Sequence, residues 1–311
     1  MADSGRTVLL AAPRASCAGV RRAVETVEAA LERFGPPLYV RRQIVHNAHV
    51  VEDLAQRGVV FVEEVEEVPR GAVVVFSAHG VAPQVRAAAQ ARELTVIDAT
   101  CPLVAKVHAE ARRFSAAGRT IVLVGHDGHE EVEGTVGEVA GNVQIVGGLD
   151  DVASLQVEDP DRVAYLTQTT LAVDETEEVV AALRARFPAL VGPAASDICY
   201  ATQNRQDGVR ALAADADLVL VIGSTNSSNS RRLVEVAERT SAPARLIEDA
   251  TAMQPEWLTD VRTVGLTAGA SAPESLVQHA LKRLATLGFD DVREVTVARE
   301  RTRFAATPIP S

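Results

Sequence analysis

The sequence predicts an α/β protein: three similar small domains with mostly parallel sheets, set around a common centre. Three observations carry this expectation. Short β-branched runs alternate with amphipathic helical stretches along the whole chain. Cys17, Cys101 and Cys199 each stand where an apolar run gives way to a helical pattern. The intervals between these cysteines are each about the length of one small α/β domain.

Taken in order, an apolar run at 8–11 leads into a segment with Val20, Val24, Val27, Leu31 and Phe34 at helical spacing. Runs at 73–77, 95–98, 121–125, 218–223 and 264–267 read as further strands, and 174–187, 229–240 and 271–287 as helices. Such alternation buries parallel strands between helices on both faces. The domains expected are 1–101, carrying Cys17, with a first strand free to pack with the third domain; 102–195, opening just after Cys101; and 196–311, carrying Cys199 and a C-terminal tail. Open α/β sheets present ligands beyond the carboxyl ends of their strands. A ring of three would therefore gather the cysteines, with the polar strand ends at 77–80, 125–126 and 223–224, into one central site.

Composition narrows the function. With 47% hydrophobic and 23% charged residues among 311, the chain can bury a core and shows no low-complexity tract. A net charge of −11, with lysine only at 106 and 282, speaks against nucleic acid as a partner. No apolar run approaches the roughly 20 residues of a membrane span. The polar opening Ala2-Asp3-Ser4-Gly5-Arg6 lacks the apolar core of a secretion signal, so a cytoplasmic protein is expected. An odd count of widely spaced cysteines suits reduced thiols rather than a disulfide framework. Neither a Gly-x-Gly-x-x-Gly after a strand nor a Walker loop is present, so any electrons for a redox reaction must come from outside.

A single cysteine is commonly a small buried hydrophobe. Three in matching contexts, with no Cys-x-x-Cys pair for structural zinc, can instead hold three irons of a cubane cluster and leave the fourth open to substrate. His46, His79 and His129 lie in loops where an imidazole could meet an anion, whereas His108 and His279 lie within helical patterns. The stretch 129–134 offers Glu130, Glu131 and Glu133, any of which suits a solvated acidic face; position alone does not select a proton donor among them. The stretch 224–230, with Ser227, Ser228 and Asn229, follows an apolar run and opens a helix, which makes both a cap and a phosphate site. Ser271 and Glu274 repeat that arrangement and also read as a capping box. Thr167-Gln168-Thr169-Thr170 is a third hydroxyl cluster.

Together these motifs resemble the 4-hydroxy-3-methylbut-2-enyl diphosphate reductase family, which closes the methylerythritol phosphate route to isoprenoids. The resemblance runs from about Val8 to Leu287. It rests on Cys17-Ala18-Gly19-Val20, Val45-His46-Asn47, Ser77-Ala78-His79-Gly80, Ala99-Thr100-Cys101-Pro102, Glu131-Val132-Glu133-Gly134, Thr167-Gln168-Thr169-Thr170, Asp197-Ile198-Cys199-Tyr200, Asn226-Ser227-Ser228-Asn229-Ser230 and Ala268-Gly269-Ala270-Ser271. It implies a cloverleaf of three α/β domains around a central iron–sulfur site, one [4Fe–4S] cluster per chain on Cys17, Cys101 and Cys199, and an allylic diphosphate substrate. It also implies that His46, His79, His129, Ser227, Ser228, Asn229 and Ser271 hold the diphosphate. Glu131 would relay protons, Thr169 would orient the substrate hydroxyl, and a ferredoxin or flavodoxin would donate electrons. The products implied are isopentenyl and dimethylallyl diphosphate.

The sequence departs from the family pattern beside key residues: Ala15-Ser16 stand where Gly and an aromatic are typical, Arg21 replaces an acidic residue, and Glu130 stands where proline is common. Two other readings use the same kind of cluster: an aconitase-like dehydratase without net redox change, and an iron or oxygen sensor. Turnover that depends on a reductant separates the reductase from both.

Overall fold

A computed structural model describes residues 5–310. In chain order the elements are β1 (Arg6–Ala12), α1 (Ala18–Phe34), β2 (Leu38–Arg41), α2 (Ala48–Gln56), β3 (Val59–Val62), β4 (Val73–Phe76), α3 (Pro83–Ala91), β5 (Thr95–Asp98), α4 (Pro102–Ala116), β6 (Thr120–Val124), α5 (Glu130–Gly137) and β7 (Val143–Val146). They continue with α6 (Leu149–Ser154), β8 (Val163–Thr167), α7 (Val173–Arg186), α8 (Tyr200–Ala213), β9 (Leu218–Ile222), α9 (Ser228–Arg239), β10 (Ala244–Ile247), β11 (Thr263–Ala268), α10 (Glu274–Thr286) and β12 (Phe289–Thr296). The protein is mixed α/β, with three small sheets ordered β10-β9-β11-β1-β12, β3-β2-β4-β5 and β7-β6-β8. Every pairing between named strands is parallel. Among the described residues no helix is long and apolar enough to cross a membrane.

Contacts divide the chain into two compact units. The first comprises residues up to Ala18, His46–Val50 and Tyr200–Arg303, and holds the five-stranded sheet. β1 lies between β11 and β12, so the first strand of the chain is built into a sheet made otherwise of C-terminal residues. β9 shows why its sequence is apolar throughout: Leu218, Leu220 and Ile222 pack with Val277, Ala280 and Leu284 of α10, while Val219 and Val221 face Val209 of α8 and Leu233 of α9. A strand alternates faces with period two, and here both faces are covered.

The second unit comprises Gly19–Val45, Val51–Cys199 and the residues from Phe304, and holds the other two sheets. β6 repeats the logic of β9, with Ile121 and Leu123 against Val107 and Phe114 of α4, and Val122 and Val124 against Val179 and Leu183 of α7. In the neighbouring sheet Val74 and Phe76 pack with Ala89 of α3.

The strands expected from the sequence appear within two residues of their expected ends. β2, β3, β7 and β10 are four-residue strands, too short to show a period, and β12 is largely exposed and charged. The last helix differs at its start. It begins at Glu274 with Pro273 as its cap and no side-chain cap bond. The Ser271 hydroxyl is engaged elsewhere, donating to the His46 carbonyl at 2.8 Å, so the capping box read from Ser271 and Glu274 does not form.

Candidate functional site

The second unit places its candidate residues on the loops after β4, β5, β6 and β8. His129 precedes α5, and its Nδ1 accepts the Glu131 backbone N–H at 3.1 Å. A backbone amide can only donate, so Nδ1 carries no proton and Nε2 is the donor of this ring. His79 lies edge-on to His129, with ring centroids 5.9 Å apart. Its Nδ1 is 3.3 Å from a carboxylate oxygen of Glu130 and 3.4 Å from the Ser77 hydroxyl. The two rings are thus held by opposite kinds of partner: an amide donor on one, a carboxylate acceptor on the other.

Successive positions of a helix point about 100° apart, and the three acids of α5 go to three different places. Glu130 meets His79. Glu133 is half exposed and pairs with Arg42 at 2.7 Å. Glu131 turns inward, only 2% exposed. Its Oε1 accepts the Thr169 backbone N–H at 2.6 Å and its Oε2 accepts the Thr169 hydroxyl at 3.0 Å. Burial pushes its pKa up to about 7, although both bonds from Thr169 and the nearby His79 pull the other way. This carboxyl keeps or gives up a proton close to neutral pH.

Two cysteines belong to this unit. Cys101 caps α4 ahead of Pro102, with its N–H donating to the Ala78 carbonyl at 3.0 Å. The Cys199 N–H donates to the Thr169 carbonyl at 3.1 Å. Thr169 therefore grips the buried acid with its donors and the cysteine loop with its acceptor. Asp197, two residues earlier, accepts from the Thr167 amide at 3.1 Å and the Lys106 ammonium at 3.3 Å.

In the first unit the Cys17 N–H donates to the Ala270 carbonyl at 3.1 Å, and the next amide, of Ala18, donates to the Tyr200 hydroxyl at 3.3 Å. Ala15 has φ 56°, a left-handed conformation that favours glycine. The wholly buried Arg205 steadies this turn, donating to the carbonyls of Arg14, Ala15 and Ala201 and pairing with Glu300 at 2.8 Å. Ser16 donates to the Ala272 carbonyl at 2.9 Å.

Ser227 caps α9, its hydroxyl oxygen accepting from the Ser230 amide at 3.3 Å. Ser228, Asn229 and Ser230 are buried in the first turn. Asn229 Oδ1 accepts the Ala270 N–H at 2.8 Å, while its Nδ2 is buried with no hydrogen-bond partner among the described residues. Buried amide donors are normally paired, which leaves this one available to a bound group. Gly223 and Gly269 make the turn possible, since a Cβ on either would lie 2.1 Å from the Ser230 hydroxyl. Ser271 and the His46 carbonyl meet in this same unit, and the Ala48 amide donates to Ser224 at 2.9 Å.

Several residues of the site do not stand out in the sequence. His108, inconspicuous within a helical pattern, is 2% exposed and pairs with Glu138 at 3.1 Å. Burial pushes its pKa down. Its ring fills the space left by two glycines: a Cβ at Gly80 would lie 2.8 Å from it, and one at Gly134 3.2 Å. Gly80 has φ +79°, and Gly134 lies inside a helix, where glycine is costly; those two glycines are the available signal. Arg205 escapes notice because nothing in its local sequence distinguishes it.

Comparison with known proteins places the chain. The family described as "LytB protein" matches residues 8–285. A 4-hydroxy-3-methylbut-2-enyl diphosphate reductase of Nocardia farcinica is 59% identical over 98% of this chain and 91% of its own length. A protein of the same name from Bordetella pertussis is 57% identical over 97% of this chain and 92% of its own. The solved structure of the E-1-hydroxy-2-methyl-but-2-enyl-4-diphosphate reductase from Plasmodium falciparum is similar, with a TM-score of 0.95 and 36% identity over 98% of this chain and 96% of that one. A second, titled as the terminal enzyme of the non-mevalonate pathway, gives a TM-score of 0.64 and 33% identity over 90% of this chain and 99% of that one. With a match spanning most of its length and relatives well above half identical, this chain belongs to the LytB protein family.

Proposed function

We propose that this chain reduces 4-hydroxy-3-methylbut-2-enyl diphosphate, taking up two electrons and two protons, releasing the allylic hydroxyl as water and yielding isopentenyl and dimethylallyl diphosphate. The names of its relatives support the reaction class. Within the site, the observation that carries the reading is the buried Glu131, whose carboxyl holds a proton near neutral pH under the grip of Thr169. Hydroxide is a poor leaving group, and such an acid can protonate it.

Cys17, Cys101 and Cys199 would hold a [4Fe–4S] cluster. They are thiols rather than disulfide halves, half-buried, each with its amide tied to a neighbouring carbonyl; Cys17 and Cys101 stand at strand-to-helix junctions, whereas Cys199 ends the loop between α7 and α8 instead of following a strand as expected, and this all-thiol donor set fits such a group. When bound, the cluster supplies electrons and a Lewis-acidic iron. The protein's own groups do the rest. His129 offers Nε2–H to an anion, because the Glu131 amide occupies its Nδ1. His79 stands beside it, and Ser227, Ser228, Asn229, Ser271 and His46 supply further polar contacts for the diphosphate. The unpartnered Nδ2 of Asn229 supports that assignment. Thr169 holds Glu131 in place and orients the hydroxyl. Electrons would come from a ferredoxin or flavodoxin in the cytoplasm.

The test is an anaerobic preparation assayed for iron, sulfide and consumption of the diphosphate with a chemical reductant. Reductant-dependent turnover is expected, and replacing any one of the three cysteines by Ser should abolish the four-iron complement. Turnover without reductant would favour a dehydratase; full iron content in a Cys→Ser variant would remove that residue from the ligand set.

A further inference from the structure

We propose that Arg299, Arg301 and Arg303 form the docking surface for an acidic electron-carrier protein, an inference that rests on the reductase reading above. The chain leaves β12 as an extended segment without regular structure, anchored where the Val297 amide donates to the Ala12 carbonyl at 2.9 Å. Alternate side chains of an extended segment point to opposite sides. Arg299, Arg301 and Arg303 are all exposed, whereas Glu300 and Thr302 between them are half-buried.

The inward residues fasten this segment to the Cys17 turn. Glu300 accepts from Arg205 at 2.8 Å and from Asn204 at 3.2 Å. Thr302 lies beside the Tyr200 hydroxyl. Arg205 in turn holds the carbonyls of Arg14 and Ala15, and Tyr200 accepts the Ala18 amide. The residues on both sides of Cys17 are thus gripped by side chains that the arginine segment itself secures.

The net charge of the chain is −11, and several of its other arginines, such as Arg14, Arg41 and Arg57, are paired with carboxylates. Arg299, Arg301 and Arg303 are engaged in no hydrogen bond or ion pair among the described residues. Three unneutralised guanidinium groups in a row attract an acidic surface and orient it, while the acidic remainder repels that partner from other faces. The sequence carries no nicotinamide, flavin or nucleotide motif of its own, so a reductase of this composition must receive its electrons from another molecule. A small acidic one-electron carrier fits a positive row laid over a cysteine turn.

The experiment compares wild-type holoenzyme with two triple variants, R299E/R301E/R303E and R299K/R301K/R303K, using an acidic plant-type [2Fe–2S] ferredoxin as the carrier. Affinity is measured calorimetrically at low and high salt, and turnover is measured with ferredoxin and, separately, with reduced methyl viologen. Charge reversal is expected to weaken ferredoxin binding at least 10-fold at low salt and to raise the KM for ferredoxin, with viologen-driven turnover unchanged. The lysine variant should bind within about threefold of wild type, and wild-type binding should weaken steeply with salt. Equal ferredoxin affinity in wild type and the charge-reversed variant, or wild-type binding indifferent to salt, would overturn the proposal. The binding arm needs no turnover, so a protein inactive with viologen as well would count against the reductase reading and not against this surface.

Discussion

Thr169 holds Glu131 at both carboxylate oxygens, with its amide 2.6 Å from Oε1 and its hydroxyl 3.0 Å from Oε2. The Thr169 carbonyl meanwhile accepts the Cys199 amide. One residue therefore fixes a buried acid and the loop of a candidate ligand together, so that neither can shift without disturbing the other. Such double anchoring preorganises a proton donor that is otherwise expensive to bury.

Glu131→Gln should lower turnover by about 10² to 10⁴ while leaving substrate binding near wild type, because the amide keeps the shape, its oxygen still accepting the Thr169 N–H and its NH2 donating back to the hydroxyl, but has no acidic proton to give. Glu133→Gln should stay within a few-fold, since that side chain is turned to Arg42. Steady-state kinetics with a chemical reductant and a separate binding measurement check this. A Glu131→Gln enzyme of near-normal rate would return Glu131 to a structural role.

The same substitution makes a prediction about stability. The pKa of Glu131 rises from 4.5 to about 7 on folding, so in that window the native protein keeps a proton that the unfolded chain releases. Its stabilising contribution is full below the lower value and is lost as pH rises through the upper one. Gln cannot ionise. Relative to wild type, Glu131→Gln should therefore gain up to roughly 3 kcal/mol between about pH 4.5 and about pH 8, because each tenfold change in the protonation equilibrium is worth about 1.4 kcal/mol. Urea unfolding at both ends of the range measures the difference; an unchanged gap would contradict it.

Ala15→Gly should stabilise the protein by roughly 0.5 to 1 kcal/mol. Ala15 sits at φ 56°, where a Cβ crowds the following carbonyl, and glycine relieves this at some cost in unfolded-chain entropy. Thermal unfolding of the two proteins, prepared alike, decides the sign.

Asn229→Asp keeps the oxygen that accepts the Ala270 amide and replaces the unpartnered Nδ2 by a second, negative oxygen. Affinity for the diphosphate should fall at least about 10-fold, as expected when a donor facing an anion becomes an acceptor. Binding of the corresponding alcohol, without phosphate, should hardly change. Equal losses for both ligands would mean that Nδ2 does not face the diphosphate.

Much of this is legible in the amino-acid order because it is local. Runs such as 121–125 and 218–223 read as buried strands since both their faces are apolar, and α/β alternation follows from period alone. The polar turns after them, with His79, His129, Thr169 and Ser227, are visible as breaks in that pattern. Ser271 reads wrongly as part of a capping box, because the sequence does not show that its hydroxyl meets the His46 carbonyl, remote in the chain.

What the sequence by itself determined is the inventory: three thiols each ahead of a helix, a helix opening with hydroxyls, and three acids within 130–133. Tertiary structure decided which of these acids is buried, sending Glu131 to Thr169, Glu130 to His79 and Glu133 to Arg42. It also decided the tautomer of His129 through the Glu131 amide, left Asn229 Nδ2 unpaired, and placed His108 beneath Gly80 and Gly134. The reason is physical. A residue's type and period follow from its neighbours in the chain, but its protonation and its partners depend on desolvation and on groups that only folding brings within hydrogen-bond distance.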